Sequence, residues 1–200
     1  IGMAEIALEE DDLSQNKEYL KDILNCAQRI GDIVKGLKSY SRAAKKEDQS
    51  PVDLNEILEE SLKMVRLAIK PPSVEVIKKF QPVERIQANM GEIQQVFTNL
   101  ITNAFQAMDG RGGKLILSTR SVKDLAEVKV IDNGMGIPSK YLNQIFDPFF
   151  TTKKLGEGTG LGLNIVYRIV TKYEGTIDVE SKEQVGTTFT IKFPMRRVEA

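Results

Sequence analysis

Two glycine-rich stretches restrict the folds open to this chain of 200 residues more than any other feature. The first, DNGMGIP at 132–138, directly follows the alternating run AEVKVI and therefore predicts a tight turn at the end of a strand. The second, GEGTGLGL at 156–163, runs directly into a helical pattern. Glycine lets the backbone approach a phosphate closely, and the first turn of a helix offers free amides to an anion. The two stretches would then border one ligand. The alternative is that the first is a surface turn and the second a flexible hinge.

The second stretch does not match the common nucleotide-binding loops. No Gly-Lys-Ser or Gly-Lys-Thr follows it, as a Walker loop would require, and no strand immediately precedes it, as the Rossmann fingerprint would require. Between the two stretches lies IFDPFFTTKKL at 145–155, which is aromatic, interrupted by a proline and basic. This composition is typical of a mobile segment that packs its rings down and offers cations to a bound polyphosphate.

The order of helical and strand patterns predicts the fold class. Helix starts are marked by an Asp or Asn three residues before a Glu, and strands by alternating or β-branched runs. Because strict βαβ alternation is absent, we expect an α+β fold of the α/β sandwich type, with helices covering one face of a mixed sheet. The predicted elements are helices from Asp53 to about Ile69, from Asn89 to about Met108 and from about Gly160 to Tyr173, and strands VEVIKKF, RIQA, KLILSTRSV, AEVKVID, GTIDVESKE and GTTFTIKF.

A heptad-like pattern sets residues 1–46 apart. Its apolar positions alternate between spacings of three and four, which predicts a long helix with a coiled-coil seam. One helical hairpin would expose this seam, so we expect a second copy to pair with it as a four-helix bundle; packing on the rest of its own chain is the alternative. The charged segment AAKKEDQSP at 43–51 places the boundary between domains 1–46 and 47–200. The seam positions are Leu20, Ile23, Ala27, Ile30, Val34 and Leu37.

Composition argues against several kinds of function. The chain has 28 Lys and Arg against 28 Asp and Glu, so no strong field points to nucleic acid or to a membrane surface. It has no histidine and a single cysteine, Cys26, and therefore forms no imidazole triad, no Cys/His metal site and no internal disulfide. No apolar run could span a bilayer and nothing resembles a signal peptide, so we expect a cytoplasmic protein.

Asn99 and Asn103 are a polar pair inside a predicted helix. They lie four residues apart and hence on one face of that helix. Asn is unfavourable in a helix interior, and either solvent exposure or a polar ligand would explain two of them. An Asn oxygen suits Mg²⁺, which commonly shares the phosphates of a substrate. The residues by themselves leave both explanations open.

Four motifs in this order resemble those of bacterial sensor histidine kinases, members of the GHKL ATPase superfamily. NLITNAFQAM is similar to their N box, DNGMGIP to the first glycine box, IFDPFFTTK to the F box and GEGTGLGL to the second glycine box. The resemblance extends over the whole chain. Residues 1–46, with SYSR at 39–42, look like the later part of the dimerisation and phosphotransfer hairpin, and 47–200 look like the catalytic, ATP-binding domain with its Bergerat fold.

The resemblance implies ATP and Mg²⁺ as cofactors. Asp132 would accept a hydrogen bond from the exocyclic amine of adenine, and Gly134 and Gly136 would let the chain curl against the base and the ribose. Asn103 would be the Mg²⁺ ligand, while Asn99 would contact the phosphates or support the metal. The other implied nucleotide contacts are Ile137, Phe146, Phe150, Thr151, Thr152, Lys153, Gly158, Thr159, Gly160, Leu161, Gly162 and one threonine of the last hairpin, Thr187 or Thr188, of which Thr188 is the candidate.

The implied activity is transfer of the γ-phosphoryl group of ATP to a protein histidine, with Asn99 and Lys153 as catalytic residues. Related ATPases carry a glutamate one helical turn before the metal-binding Asn, where it acts as general base for water. Asn99 occupies that position here, and an amide takes no proton at neutral pH. A GHKL-type ATPase is therefore the less favoured alternative, together with a nucleotide-binding dimerisation module that performs no catalysis.

The chain departs from the sensor kinase pattern in one place. Sensor kinases phosphorylate a histidine on the first hairpin helix, and this chain contains none. IGMAEIAL resembles the stretch about three helical turns beyond that histidine, so we expect the acceptor upstream of Ile1 and no autophosphorylation by this chain alone. The implied partners are a second copy of the chain and the receiver domain of a response regulator. We expect no binding to nucleic acid. Any attachment to a membrane would be made by parts of the protein outside these residues.

Overall fold

The computed structural model describes residues 16, 19, 20, 23, 27, 31, 49–69, 74–108, 112–153 and 158–195. The chain divides into two compact units. The smaller comprises Ile1–Ala43 and Pro148–Leu161, and the larger comprises Ala44–Asp147 and Gly162–Ala200.

The larger unit is built around a mixed β-sheet. Its elements, in chain order, are β1 (Ser50–Val52), α1 (Leu54–Ile69), β2 (Val74–Phe80), β3 (Ile86–Ala88), α2 (Met90–Ala107), β4 (Gly113–Val122), β5 (Leu125–Asp132), a 3₁₀ helix (Ser139–Tyr141), α3 (Gly162–Lys172), β6 (Thr176–Lys182) and β7 (Gly186–Pro194). Five strands form one sheet in the order β2-β4-β5-β7-β6, and β1 and β3 form a separate antiparallel pair. In the large sheet β2 runs parallel to β4, and all other neighbours are antiparallel.

The helices form one layer over the large sheet. Helix α1 contacts β4, α2 contacts β5 and β7, and α3 contacts β6, with α2 between the other two helices. Alternate strand residues such as Leu115, Leu117, Val128, Val130 and Ile191 are buried beneath this layer. Each such aliphatic side chain contributes about 1.5–3 kcal/mol when fully buried. The predicted α/β sandwich with helices on one face of a mixed sheet is confirmed.

Side-chain caps determine where the two long helices begin. Before α1 the Asp53 carboxylate accepts the amides of Asn55 at 2.9 Å and Glu56 at 3.2 Å. Before α2 the Asn89 side chain accepts the amide of Glu92 at 3.1 Å. Each cap satisfies amides that the first helical turn leaves unpaired and contributes about 1 kcal/mol. Both predicted helix starts are confirmed.

Two local features differ from the predicted elements. Helix α3 begins at Gly162 and not at Gly160, because Gly160 has a φ of +67°, which lies in the left-handed region outside any right-handed helix. Strand β1 was not predicted. Its first two residues, Ser50 and Pro51, belong to the segment taken as the domain boundary, and its three residues form a strand because β3 pairs with them.

Most of the predicted N-terminal helical hairpin lies outside the described residues. Residues 16, 19, 20, 23, 27 and 31 are helical, in agreement with the helix predicted there. Leu20 of the seam is 62% exposed. Ile30, Val34, Leu37 and the boundary after residue 46 lie outside the described residues, so the hairpin, the seam-mediated dimer and the domain boundary remain predictions.

Candidate functional site

Asp132 ends β5 and is the buried acid of the larger unit's glycine loop. It is 7% exposed, and its cross-strand partners Leu115 and Thr187 place its side chain on the helix-covered face of the sheet. The carboxylate accepts the amide of Gly134 at 2.8 Å, and the Thr187 amide also favours its ionised form. Burial raises the pKa of this carboxyl, and the two amides offset only part of that rise. A buried acid that forms no ion pair with any described residue is typical of a binding site.

The first glycine stretch is a close-packed loop. A Cβ at Gly134 would lie 2.6 Å from the carbonyl oxygen of Ala107, and one at Gly136 would lie 2.1 Å from the carbonyl oxygen of Lys182. Gly136 also has a φ of +67°, a conformation that glycine adopts at little cost. The Met135 amide donates to the carbonyl oxygen of Ala107 at 2.9 Å. The loop therefore passes between the end of α2 and the β6–β7 turn only because both positions are glycine.

Ser181 joins that loop to the last hairpin. Its Oγ lies 2.8 Å from the amide nitrogen of Ile137 and 3.0 Å from the carbonyl oxygen of Gly186. It also lies 2.9 Å from Oγ1 of Thr187. One hydroxyl group thus holds the glycine loop, the β6–β7 turn and the neighbour of Asp132 together.

The register of β5 with β7 decides between the two threonines of the last hairpin. Thr187 pairs with Asp132 and is 5% exposed, so the two side chains lie together on the helix-covered face. Thr188 pairs with Ile131, and successive side chains of a strand point to opposite faces. The structure therefore places Thr187 beside Asp132 and Thr188 on the other face of the sheet.

Asn99 and Asn103 lie on one face of α2, and Ala107, four residues further on, contacts the first glycine loop. Nδ2 of Asn99 donates to the carbonyl oxygen of Gly162, the first residue of α3, at 3.2 Å. The side chain of Asn103 is partly exposed and makes no hydrogen bond to a described residue. A single amide oxygen fits Mg²⁺, which completes its shell with waters and phosphate oxygens. No group of three or more His, Cys, Asp or Glu able to hold a metal exists among the described residues.

Asn164 is a buried polar residue that the sequence did not single out. It is 8% exposed, and its Nδ2 donates to the carbonyl oxygen of Phe146 at 2.8 Å. The Phe146 ring lies 5.5 Å from the ring of Tyr167, one turn further along α3. Helix α3 thus holds the beginning of the F box by one hydrogen bond and one ring contact. The side-chain amide of Asn164 gives no sequence signal that separates this role from an exposed helix position.

The rest of the F box and most of the second glycine box belong to the smaller unit, in which Phe149 and Gly160 lie against each other. The Phe149 amide donates to the carbonyl oxygen of Gly160 at 3.0 Å, and a Cβ on Gly160 would lie 2.3 Å from the carbonyl carbon of Phe149. Both residues have left-handed φ values, +69° and +67°. The Lys153 amide donates to Oγ1 of Thr151 at 3.2 Å, and a Cβ on Gly158 would lie 2.9 Å from that oxygen.

The predicted site residues are thus divided between the two units. The larger unit holds Asn99, Asn103, Asp132, Gly134, Gly136, Ile137, Phe146, Gly162 and Thr188. The smaller unit holds Phe150, Thr151, Thr152, Lys153, Gly158, Thr159, Gly160 and Leu161. Sequence reasoning missed Ser181 and Asn164, because only strand register and helix packing show what they contact.

Residues 89–197 match the family model described as histidine kinase-, DNA gyrase B- and HSP90-like ATPase. The chain belongs to this ATPase family. It is 35% identical over 192 residues to the sensor kinase CckA of Brucella abortus, covering 86% of this chain and 20% of that protein. It is 38% identical over 171 residues to the sensor histidine kinase ZraS of Klebsiella oxytoca, covering 84% of this chain and 36% of that protein.

Among solved structures, the nucleotide-free catalytic domain of the histidine kinase ThkA is similar with a TM-score of 0.65 and 30% identity. The match covers 74% of this chain and 95% of that domain. The matched region is therefore 20% of the length of CckA and 36% of the length of ZraS, but 95% of the ThkA catalytic domain. No helix among the described residues is long and apolar enough to cross a membrane.

Proposed function

We propose that the chain is the ATP-binding kinase core of a sensor histidine kinase, transferring the γ-phosphoryl group of ATP to a histidine outside these 200 residues. Asp132 is the observation that carries this proposal. Its carboxylate is buried beside Thr187, at the base of a loop that can be formed only with glycine at 134 and 136. Such an acceptor requires a ligand group that donates a hydrogen bond.

The polarity of this acceptor favours adenine. An ionised carboxylate only accepts hydrogen bonds, so it binds the 6-amino group of adenine and repels the 6-carbonyl group of guanine. Sites built around a buried polar group reject a mismatched analogue strongly, because the group is then left without a partner. Thr187 lies on the same face of the sheet as Asp132. It therefore replaces Thr188, the candidate from the sequence, as the threonine proposed to contact adenine.

The phosphates have separate candidate contacts on the helices. The first turn of α3 provides amides to an anion, and Asn99 fixes the position of Gly162 at its start. The oxygen of Asn103 would hold Mg²⁺, which when bound neutralises phosphate charge during transfer. Lys153 and the glycines of the smaller unit would contact the triphosphate. Asn99 offers no base for water, which favours phosphoryl transfer over hydrolysis.

The proposed partners follow from the same family resemblance. A second copy of the chain would pair along the N-terminal seam, and the receiver domain of a response regulator would take the phosphoryl group on an aspartate. The similarity to CckA and ZraS, both named sensor kinases, supports this placement in two-component signalling. Sedimentation at several protein concentrations tests the dimer, and a monomer at every concentration would exclude it.

Calorimetric titration of Mg·ATP into the chain and into Asp132→Asn tests the proposal. We expect a dissociation constant in the micromolar to submillimolar range for the natural sequence, about −5 to −8 kcal/mol. The variant should bind at least tenfold more weakly, because its amide can present a donor to the adenine amine. Asp124→Asn, an exposed change in the β4–β5 turn, is the matched control and should bind ATP normally. Retained affinity in Asp132→Asn would remove Asp132 from the site.

A further inference from the structure

The hydroxyl of Ser181 has three polar neighbours whose hydrogen-bonding roles are constrained. The Ile137 amide, 2.8 Å away, can only donate, and the Gly186 carbonyl oxygen, 3.0 Å away, can only accept. The third neighbour, Oγ1 of Thr187 at 2.9 Å, can do either. A serine hydroxyl has one proton to donate and two lone pairs that accept.

Only one arrangement of protons makes all three contacts hydrogen bonds at the same time. Ser181 donates its only proton to Gly186 and accepts from Ile137 with one lone pair. Its contact with Thr187 is then a hydrogen bond only if Thr187 is the donor. In this arrangement, which satisfies all three contacts, the proton of the Thr187 hydroxyl is directed at Ser181, and Oγ1 of Thr187 has only lone pairs left for the face of the sheet that it shares with Asp132.

We propose that Ser181 is a positioning residue for adenine specificity, which it sets by holding Thr187 as a hydrogen-bond acceptor beside Asp132. This inference rests on the proposed function and deepens it. A base with an amino group at position 6 meets two acceptors. A base with a carbonyl group there meets two acceptors with no donor to offset them. Without Ser181 the Thr187 hydroxyl is released to rotate and to donate to that carbonyl.

Binding of ATP and of inosine triphosphate to Ser181→Ala tests this role. Inosine triphosphate differs from ATP at position 6, where a carbonyl replaces the amine, and in the proton that N1 then carries. We expect the ratio of the two dissociation constants, inosine triphosphate over ATP, to fall about tenfold in the variant, the worth of about one hydrogen bond. A merely structural role would weaken both nucleotides and leave their ratio unchanged.

Three further variants sharpen the comparison. Ser118→Ala removes a strand hydroxyl from the opposite face of the sheet and should keep the natural ratio. Ser181→Cys is close to isosteric and a poor acceptor, so it should lower the ratio as Ser181→Ala does and replaces that variant if the alanine protein folds poorly. In a Thr187→Val background, Ser181→Ala should change the ratio no further, because the group through which it acts is gone.

The outcomes separate this inference from the proposed function. If the natural chain binds neither nucleotide, the proposed function fails. If it binds ATP selectively and both Ser181 variants keep the natural ratio, the positioning role of Ser181 is overturned while the proposed function stands. A change of ratio that persists in the Thr187→Val background would likewise overturn it, because Ser181 would then act by another route.

Discussion

At the scale of the residue, stability and binding place opposite demands on Asp132. Burial raises its pKa in the folded chain, so ionisation at neutral pH opposes folding, while the same charge is the acceptor proposed for adenine. We expect Asp132→Asn to raise the free energy of unfolding of the nucleotide-free chain at pH 7. The asparagine oxygen can still accept the amide of Gly134 but carries no charge to desolvate.

The pH dependence of that gain has a definite sign. With a folded pKa above the unfolded one, the cost of ionisation is fully present above the folded pKa and disappears as pH falls towards the ordinary aspartate pKa of about 3.9. The advantage of Asp132→Asn in urea denaturation should therefore shrink as pH is lowered from 7. Asp124→Asn should show no such trend. An advantage independent of pH would mean that charge is not its cause.

At the scale of the element, the loop between Phe149 and Gly160 depends on one backbone conformation. Gly160→Ala should disturb it, because the new Cβ would lie 2.3 Å from a backbone carbon and φ is +67° there. We expect the affinity for ATP to fall about tenfold or more, and the affinity for adenosine to change less, since the loop is proposed to contact phosphates. Titration calorimetry with both ligands measures the difference.

A matched glycine is available as the control for this loop. Gly31 is helical, and a Cβ added there would meet nothing within 4 Å. Gly31→Ala should therefore leave both affinities unchanged and slightly favour its helix, by up to about 1 kcal/mol. Equal losses of ATP and adenosine binding in Gly160→Ala would show that the loop supports the adenine side instead of the phosphates.

At the scale of the whole molecule, the absence of histidine separates ATP binding from phosphotransfer. The chain should bind ATP, form no phosphohistidine and hydrolyse ATP slowly, because Asn99 supplies no base for water. A polypeptide extended upstream, with a histidine followed by an acidic residue on the first hairpin helix, should become labelled from γ-labelled ATP, either within itself or when added in trans. The product should be acid-labile and alkali-stable, as a phosphoramidate is.

The opposite pair of results would favour the hydrolase alternative. Rapid ATP turnover by the present chain, together with an extended chain that stays unlabelled, would place it functionally with the ATPases of its family. Asn103→Ala supplies the control for both activities. It should abolish transfer and turnover alike, because both depend on the proposed Mg²⁺ ligand.

The sequence by itself determined the sandwich, the starts of α1 and α2 and the motif residues. These depend on local signals: apolar periods that identify buried faces, side chains that cap a helix and glycines that permit a backbone path. Asp132 and Asn103 became site candidates through the motifs in which they stand, and their roles stay predictions. Each stands in a stretch whose neighbours in the chain mark it, so no knowledge of distant contacts was needed.

Only the tertiary structure decided which strands are neighbours. Strand β7 lies between β5 and β6, and this insertion brings Thr187 beside Asp132 and places Ser181 within reach of both Thr187 and Ile137. Alternation along a strand shows that Thr187 and Thr188 lie on opposite faces of the sheet but not which face each one occupies. The two could therefore not be told apart without the register. Pairing between strands joins residues far apart in the chain, and the energy that selects it comes from the packed sheet as a whole.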